Sequence, residues 1–391
     1  PYISMFYKNI YCKIENKIFY KYANINNFNK GKIMKIVLPQ GTGVIKKTKP
    51  FKKMTDVQKM VYRKVYDPIN GALFFAEHCC WVNRNGLEQY IPFDYQREMM
   101  FNMHNYHSLI SLFSRQNGKT ITTAIYLLWY AMVFNNKIIL VTAQDLRAAS
   151  ENLGKIKGVY ENCPDFLKKG LKEDNKSKMV FDNGSEIHVR PSTIKAPRGI
   201  SPAIVYCDEF AFIGVQDSGD KALEKQEEFY GALSPTLSAT QGKLFITSTP
   251  ISETDLFFRL WSGAKNKIDD YGMNIPDDYI LEINGELYRD FHLFKDKDQA
   301  EEYAKSLRDE NTIVNVVSKK SYGNNGFQSQ LVRWDACPLK DENWAKAEIK
   351  KVGAERFERE YNCIGGNNIV QIMDEKGYIR SLSLEMLYEY Y

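Results

Sequence analysis

The sequence predicts an α/β fold, a mostly parallel central sheet flanked by helices, on three observations. Short apolar runs alternate with helical segments through the middle of the chain, the pattern of a sheet covered on both faces. Every polar signature follows directly after one of those runs, where such sheets hold their ligands. Hydrophobic residues make up 44% of the 391, ample for a buried core and too many for a disordered chain.

In chain order, residues 1–70 read as a basic N-terminal arm, with Pro39, Gly41 and Gly43 marking a break. Residues 74–81 read as a strand, followed by a turn around Asn83 to Gly86. Residues 109–113 form a second apolar run, and 120–134 have the spacing and length of a buried helix. Further strands fall at 137–142, 203–207 and 244–247. These give an expected core over residues 71–265. Residues 266–325 are rich in Asp, Lys and Tyr and read as an insertion, strand-rich over 275–294. Residues 326–391 read as a small C-terminal lid and linker.

Composition narrows the classes. No run of about 18 uncharged apolar residues occurs, so no transmembrane helix is expected. The seven cysteines are scattered and form no CxxC pair, which argues against a disulfide framework or a zinc site and for a reducing compartment. His78-Cys79-Cys80 holds ligand-type residues, but neighbours on a strand face opposite ways and cannot close on one metal. Residues 1–64 hold 15 Lys and Arg against two acidic residues, leaving 38 basic against 46 acidic in the remainder. Such an arm is either a phosphate-seeking element or a solvated tail. The chain opens on Pro1, and Met34 is an alternative natural start.

Three strand ends carry chemistry. After residue 113 comes Ser114-Arg115-Gln116-Asn117-Gly118-Lys119-Thr120 and then a helix, the order of a phosphate-binding loop. Backbone N–H groups and the helix N-terminus present positive potential to a triphosphate. Gly118 lets the backbone approach closely, Lys119 supplies a charge for the β and γ phosphates, and the Thr120 hydroxyl is a Mg²⁺ ligand. The glycine usual five residues before Gly118 is replaced by Phe113. Next, Ile204-Val205-Tyr206-Cys207-Asp208-Glu209 is an apolar strand ending in two carboxylates. Asp208 is the expected outer ligand for Mg²⁺, and Glu209 the base that orients or deprotonates the attacking water. Third, the run ending Thr247-Ser248-Thr249-Pro250 places hydroxyls where a γ-phosphate sensor would couple ATP to a moving segment. Tyr95 and Gln96, just upstream of the loop, suit stacking on adenine and pairing with its edge. Together these predict a P-loop NTPase of the ASCE type using ATP and Mg²⁺.

These residues resemble the large terminase subunit of tailed double-stranded-DNA bacteriophages, in particular its myovirus-like branch. The matching elements are Ser114 to Thr120 with the first glycine missing, Asp208-Glu209-Phe210-Ala211-Phe212-Ile213, Thr247 to Pro250 and Tyr95-Gln96-Arg97. Asp182-Asn183-Gly184-Ser185, Arg198-Gly199 and Phe357-Glu358-Arg359-Glu360-Tyr361 add to the likeness, which runs from about residue 74 to 366. The resemblance implies an ATPase that assembles as a homo-oligomeric ring on the portal protein of an empty capsid and drives double-stranded DNA inward. Its implied partners include a small terminase subunit, and its place is the host cytoplasm at the procapsid portal vertex. It also implies an arginine completing the active site. Arg115 is the candidate within the loop, and Arg198 is the candidate acting in trans. Family members carry a nuclease domain, and only 25 residues follow Gly366, so the expectation is the ATPase part alone, with the nuclease on a separate domain or subunit.

Two rivals remain at this level. A two-RecA-domain helicase also pairs Gly-Lys-Thr with Asp-Glu, but residues 251–391 lack the alternating strands and helices of a second such domain. An inactive DNA- or portal-docking protein is the other; Lys119, Thr120, Asp208 and Glu209 are all retained, against the expectation for a decayed site.

Overall fold

The computed structural model describes residues 38–83, 86–217, 219–363, 369–373 and 379–383. Most of the expected arm, with Met34, therefore lies outside the described residues.

Helix α1 (Asp56–Val65) opens with a reciprocal capping box between Thr55 and Gln58. Helix α2 (Gly71–Cys79) replaces the strand expected at 74–81. A continuous apolar run has no period to separate a buried strand from a buried helix; here Ala72, Leu73, Phe75 and Ala76 are buried. The hairpin β1 (Trp81–Asn83) and β2 (Leu87–Gln89) follows, and then α3 (Asp94–Asn105).

The core elements are β3 (Ser108–Phe113), α4 (Lys119–Val133), β4 (Ile138–Ala143), α5 (Leu146–Asn162), β5 (Leu171–Asp174), β6 (Lys178–Phe181), β7 (Glu186–Pro191), β8 (Ile204–Asp208), α6 (Gly219–Thr240), β9 (Lys243–Ser248) and α7 (Leu256–Lys265). A small antiparallel sheet of β10 (Asp278–Ile283), β11 (Glu286–Leu287) and β12 (Val314–Lys319) packs beneath α8 (Lys297–Leu307) around Leu281, Ala304 and Val314. The chain then returns as β13 (Gln328–Val332), followed by α9 (Glu342–Val352) and α10 (Ala354–Phe357). A last hairpin pairs β14 (Ile369–Met373) with β15 (Ile379–Ser383).

Eight strands form the main sheet in the order β13-β3-β9-β8-β4-β7-β6-β5. The first six run parallel, and β6 and β5 are antiparallel at one edge. The mostly parallel sheet expected from sequence is what the molecule contains. Strand β9 lies between the loop strand β3 and the acidic strand β8, which is the ASCE order. Register brings the three signatures level: Leu112 pairs with Ser248, and Thr247 with Asp208.

One face of the sheet packs Ile110, Leu140, Val205 and Ile246 against Phe229 and Leu233 of α6 and Phe257 and Trp261 of α7. Burying such side chains stabilises by about 1.5–3 kcal/mol each, so the strand ends sit on a stiff base.

Strand β13 was not foreseen. It is short, and three of its five residues are Gln or Ser, so no apolar run announces it. Gln328 and Gln330 are nonetheless buried, and Gln330 donates to the Tyr95 carbonyl at 2.8 Å.

Candidate active site

Between β3 and α4 the loop Ser114 to Gly118 turns through left-handed conformations at Gln116 (φ 60°) and Gly118 (φ 73°). Gly118 is the N-cap of α4 and brings no capping side chain. The first N–H groups of α4 are thus left for an anion, and α4 aims the positive end of its dipole at the same place. A side chain at Gly118 is disfavoured by its φ, and its Cβ, 2.6 Å from Gln96 Nε2, would force that amide to shift.

A cleft of about 530 Å³ opens over the loop, lined by its residues 114–121 and, opposite, by Gln144, Lys155, Glu209, Phe212 and Thr249. Lys119 Nζ lies 2.5 Å from Glu209 Oε1 and 3.8 Å from Asp208 Oδ1. Asp208 is buried and held on both oxygens. Tyr206 donates to Oδ1 at 2.9 Å, Thr247 donates to Oδ1 at 3.2 Å, and Asn152 donates to Oδ2 at 3.0 Å. That satisfies a carboxylate that burial would otherwise penalise. Burial and the Asp208 charge raise the Tyr206 hydroxyl well above its ordinary range, so it stays a proton donor.

Glu209 takes a left-handed backbone conformation, φ 51° and ψ 49°, which costs a non-glycine residue about 1–3 kcal/mol. The strain lifts its carboxylate off the strand line into the cleft. There Oε2 accepts from the Thr249 N–H at 3.2 Å and from Ser248 Oγ at 3.4 Å. Ser248 Oγ in turn accepts from the Ala211 N–H. The acidic strand and the hydroxyl strand are therefore joined through Glu209 itself.

The loop is also braced from behind. Gln96, read from sequence as an adenine contact, is buried under the loop: it donates to the Asn117 carbonyl at 3.2 Å and accepts from Phe93 N–H at 3.0 Å. Tyr95 is buried against Phe113, and neither residue lines the cleft. Both lie beneath the loop. Asn117 donates to Ser114 Oγ at 2.7 Å and to the Arg333 carbonyl at 2.9 Å. Lys340 donates to Asn117 Oδ1 at 2.6 Å and to the Arg115 carbonyl at 2.9 Å, with its ammonium over the Trp344 ring. Burial pushes that ammonium below its ordinary value.

Arg115 lines the cleft with a half-exposed side chain, and its Nε lies 3.2 Å from Glu360, which also faces Arg356. Arg198 is exposed and does not line the cleft; its carbonyl accepts from Arg190. Ser114, Gln116 and Thr120 lie on the cleft wall.

Sequence reasoning missed Gln144, Lys155, Asn152 and Lys340, and named Glu360 only within the family-like segment 357–361. Gln144 follows β4 directly, so the strand-end rule alone could have found it. Lys155 lies three residues after Asn152 on one face of α5. Lys340 comes from more than 200 residues downstream, and no local pattern marks it.

Among the described residues no group of three His, Cys, Asp or Glu is placed to hold a metal alone. The donors present, one hydroxyl and one fixed carboxylate, instead fit a hard cation that keeps most of its other oxygens from water and phosphate.

Comparison with known proteins gives two likenesses in fold. The ATPase domain of the large terminase of Thermus phage P74-26 is 15% identical, with 70% of this chain and 94% of that one covered at a TM-score of 0.45. The HK97 bacteriophage large terminase is also 15% identical, with 76% and 55% covered at a TM-score of 0.48. The chain thus spans nearly all of the isolated domain but about half of that larger protein. A family model described as "Terminase large subunit, T4likevirus-type, N-terminal" matches residues 110–377, more than half of the chain and all three strand-end signatures. This protein belongs to that terminase large-subunit family and carries its N-terminal part.

Proposed function

We propose that the cleft binds ATP with Mg²⁺, hydrolyses it, and so drives phage genome DNA into a procapsid. The observation that carries this reading is the meeting of Lys119, Asp208 and Glu209 above an uncapped helix N-terminus, with the Thr249 N–H on the same Glu209.

In this site the loop N–H groups and Lys119 bind the β and γ phosphates. Mg²⁺ arriving with the nucleotide supplies charge neutralisation at its oxygens, and Thr120 and Asp208 are the residues that would hold it. Glu209 accepts a hydrogen bond from the attacking water and takes its proton as the water oxygen bonds to the γ-phosphorus and the bond from that phosphorus to the ADP oxygen breaks, releasing ADP and phosphate. Arg115, already on the cleft wall, turns toward the charge that develops. Ser248 and Thr249 are bonded to Glu209, so its rearrangement after γ-phosphate loss reaches β9 and the segment beyond.

On this reading residues 71–265 are the ATPase core, 266–325 an insertion and 326–391 its closing segment and linker. The working assembly is a homo-oligomeric ring at the portal protein, with a small terminase subunit and a separate nuclease domain or subunit, in the host cytoplasm. On this reading Arg198, exposed and outside its own cleft, is the arginine that would act on a neighbouring subunit of that ring.

The test is steady-state ATP turnover at high protein concentration, with and without linear duplex DNA, at several Mg²⁺ concentrations. Turnover that needs Mg²⁺ and rises with duplex supports the reading. Turnover indifferent to any duplex removes the translocation half of it.

A further inference from the structure

We infer that an ordered basic face built from residues 43–64 and the 168–172 loop is a contact surface for the phosphate backbone of duplex DNA. This rests on the packaging reading and names the part of the chain that grips its cargo.

Lys46, Lys47, Lys52 and Lys53 are all exposed, and none has an ion-pair partner among the described residues. Between residues 43 and 66 the only acid is Asp56, which already faces Lys59 at 3.3 Å. Nearby acids are similarly engaged: Asp165 with Lys168 and Thr42, and Asp182 with Thr48. The positive charge is therefore left for a partner.

The backbone carrying it is fixed. Leu171 N–H donates to the Ile45 carbonyl at 2.9 Å, and Gly170 N–H donates to Thr48 Oγ1 at 3.0 Å. Thr48 gives Asp182 a backbone N–H at 2.9 Å and a hydroxyl at 2.6 Å. Contact here is close enough that a Cβ on Gly170 would lie 2.6 Å from the Lys46 carbonyl. Two more cations come from other elements onto a floor of stacked rings. Arg63 of α1 lies 5.7 Å from the Phe51 centroid, and Lys169 lies 5.1 Å from that of Tyr66, which stacks on Tyr62 at 3.9 Å. Lysines on an ordered backbone lose less freedom on binding than lysines on a loose tail.

The ligand class follows from the chemistry. Ammonium point charges with few neutralising acids and few hydrogen-bonding amides suit a phosphate row and read no sequence. Phe51 is the one exposed ring, too little for the stacking ladder of a single-strand site. The face adjoins the C-terminal end of α5, and Lys155 and Asn152 on the same helix reach the cleft, so the two are separated by about 10–15 Å along that helix.

The experiment compares wild type with Lys46→Gln, Lys47→Gln, Lys52→Gln, Lys53→Gln combined, in duplex binding without nucleotide over a salt series. A control carries Lys297→Gln, Lys305→Gln, Lys346→Gln and Lys350→Gln, four exposed lysines elsewhere, and has the same net charge. The patch variant is expected to lose about tenfold or more in affinity at low salt, and its log K against log salt slope to shrink by about 2–4. The control keeps both within about twofold, and DNA-free ATP turnover is unchanged in both variants, which shows that they fold. Equal losses in the two variants, or no loss in either, overturn the proposal; the second result would leave these lysines to an acidic protein surface. Because binding is read without ATP, a chain that grips DNA but never hydrolyses would fail the functional reading and spare this one.

Discussion

Two lysines stand at opposite ends of the same sheet and show what a strand end does for a cation. Lys119, at the carboxyl end, faces Glu209 and Asp208 across an open cleft. Lys243 begins β9 at the amino end, and its ammonium donates to the carbonyls of Met103 at 2.8 Å and of His104, closing the last turn of α3. Burial pushes Lys243 down to about 8, and the neighbouring His104 down to about 4. One lysine is set among groups that a ligand can rearrange. The other is spent on helix carbonyls that nothing will replace.

Substitutions at the two ends should therefore separate binding from stability. Lys119→Ala is expected to weaken ATP binding by about 100-fold or more, with the thermal transition nearly unmoved, since it removes a charge-assisted contact to phosphate. Measuring nucleotide affinity by calorimetry beside Tm checks this; a large fall in Tm would mean that the Lys119 ion pairs hold the fold and not the ligand.

Lys340→Met, behind the loop, should cost about tenfold in ATP affinity through the two hydrogen bonds lost, with kcat changed about threefold or less. Lys340→Arg should recover part of it. A fall in kcat with affinity intact would instead place Lys340 in the chemical step.

Lys243→Met should do the reverse of Lys119→Ala, lowering stability by about 1–3 kcal/mol while the remaining folded protein turns over ATP at the wild-type rate. The smallest effect is in pH. Lys243 sheds its proton in the folded state at about 8, against 10.5 ordinarily, so the unfolded chain binds the proton more tightly in between. Wild-type stability should thus rise relative to Lys243→Met as pH goes from about 8 to 10.5. Parallel denaturation curves at pH 7.5 and 10 would show the gap widening; a constant gap would mean that this lysine stays charged throughout.

The same contrast explains what the sequence disclosed. Lys119, Asp208, Glu209, Thr247 and Ser248 sit where an apolar run stops, and both the run and the stop are local. The sheet's middle was legible for that reason, and its additional strand β9 fell between the loop and acidic strands. The 71–79 helix was misread because Phe74, Phe75 and Ala76 give no period to choose by. Gln96 was legible as a residue beside the loop, but its hydrogen bonds to Phe93 and Asn117 are set by packing that its sequence neighbourhood does not show. Lys243 and Lys340 owe their positions to tertiary contacts, and their own neighbourhoods in sequence contain nothing to distinguish them.

The central claim is that Glu209 performs the chemistry while Lys119 and the loop hold the nucleotide. The most direct measurement is single-turnover hydrolysis of ATP by wild type and Glu209→Gln, with ATP affinity taken on the same samples. The account predicts unchanged affinity, within about threefold, and hydrolysis slower by about 10²–10⁴. Hydrolysis by Glu209→Gln at the wild-type rate would contradict it and move the base to another residue of the cleft.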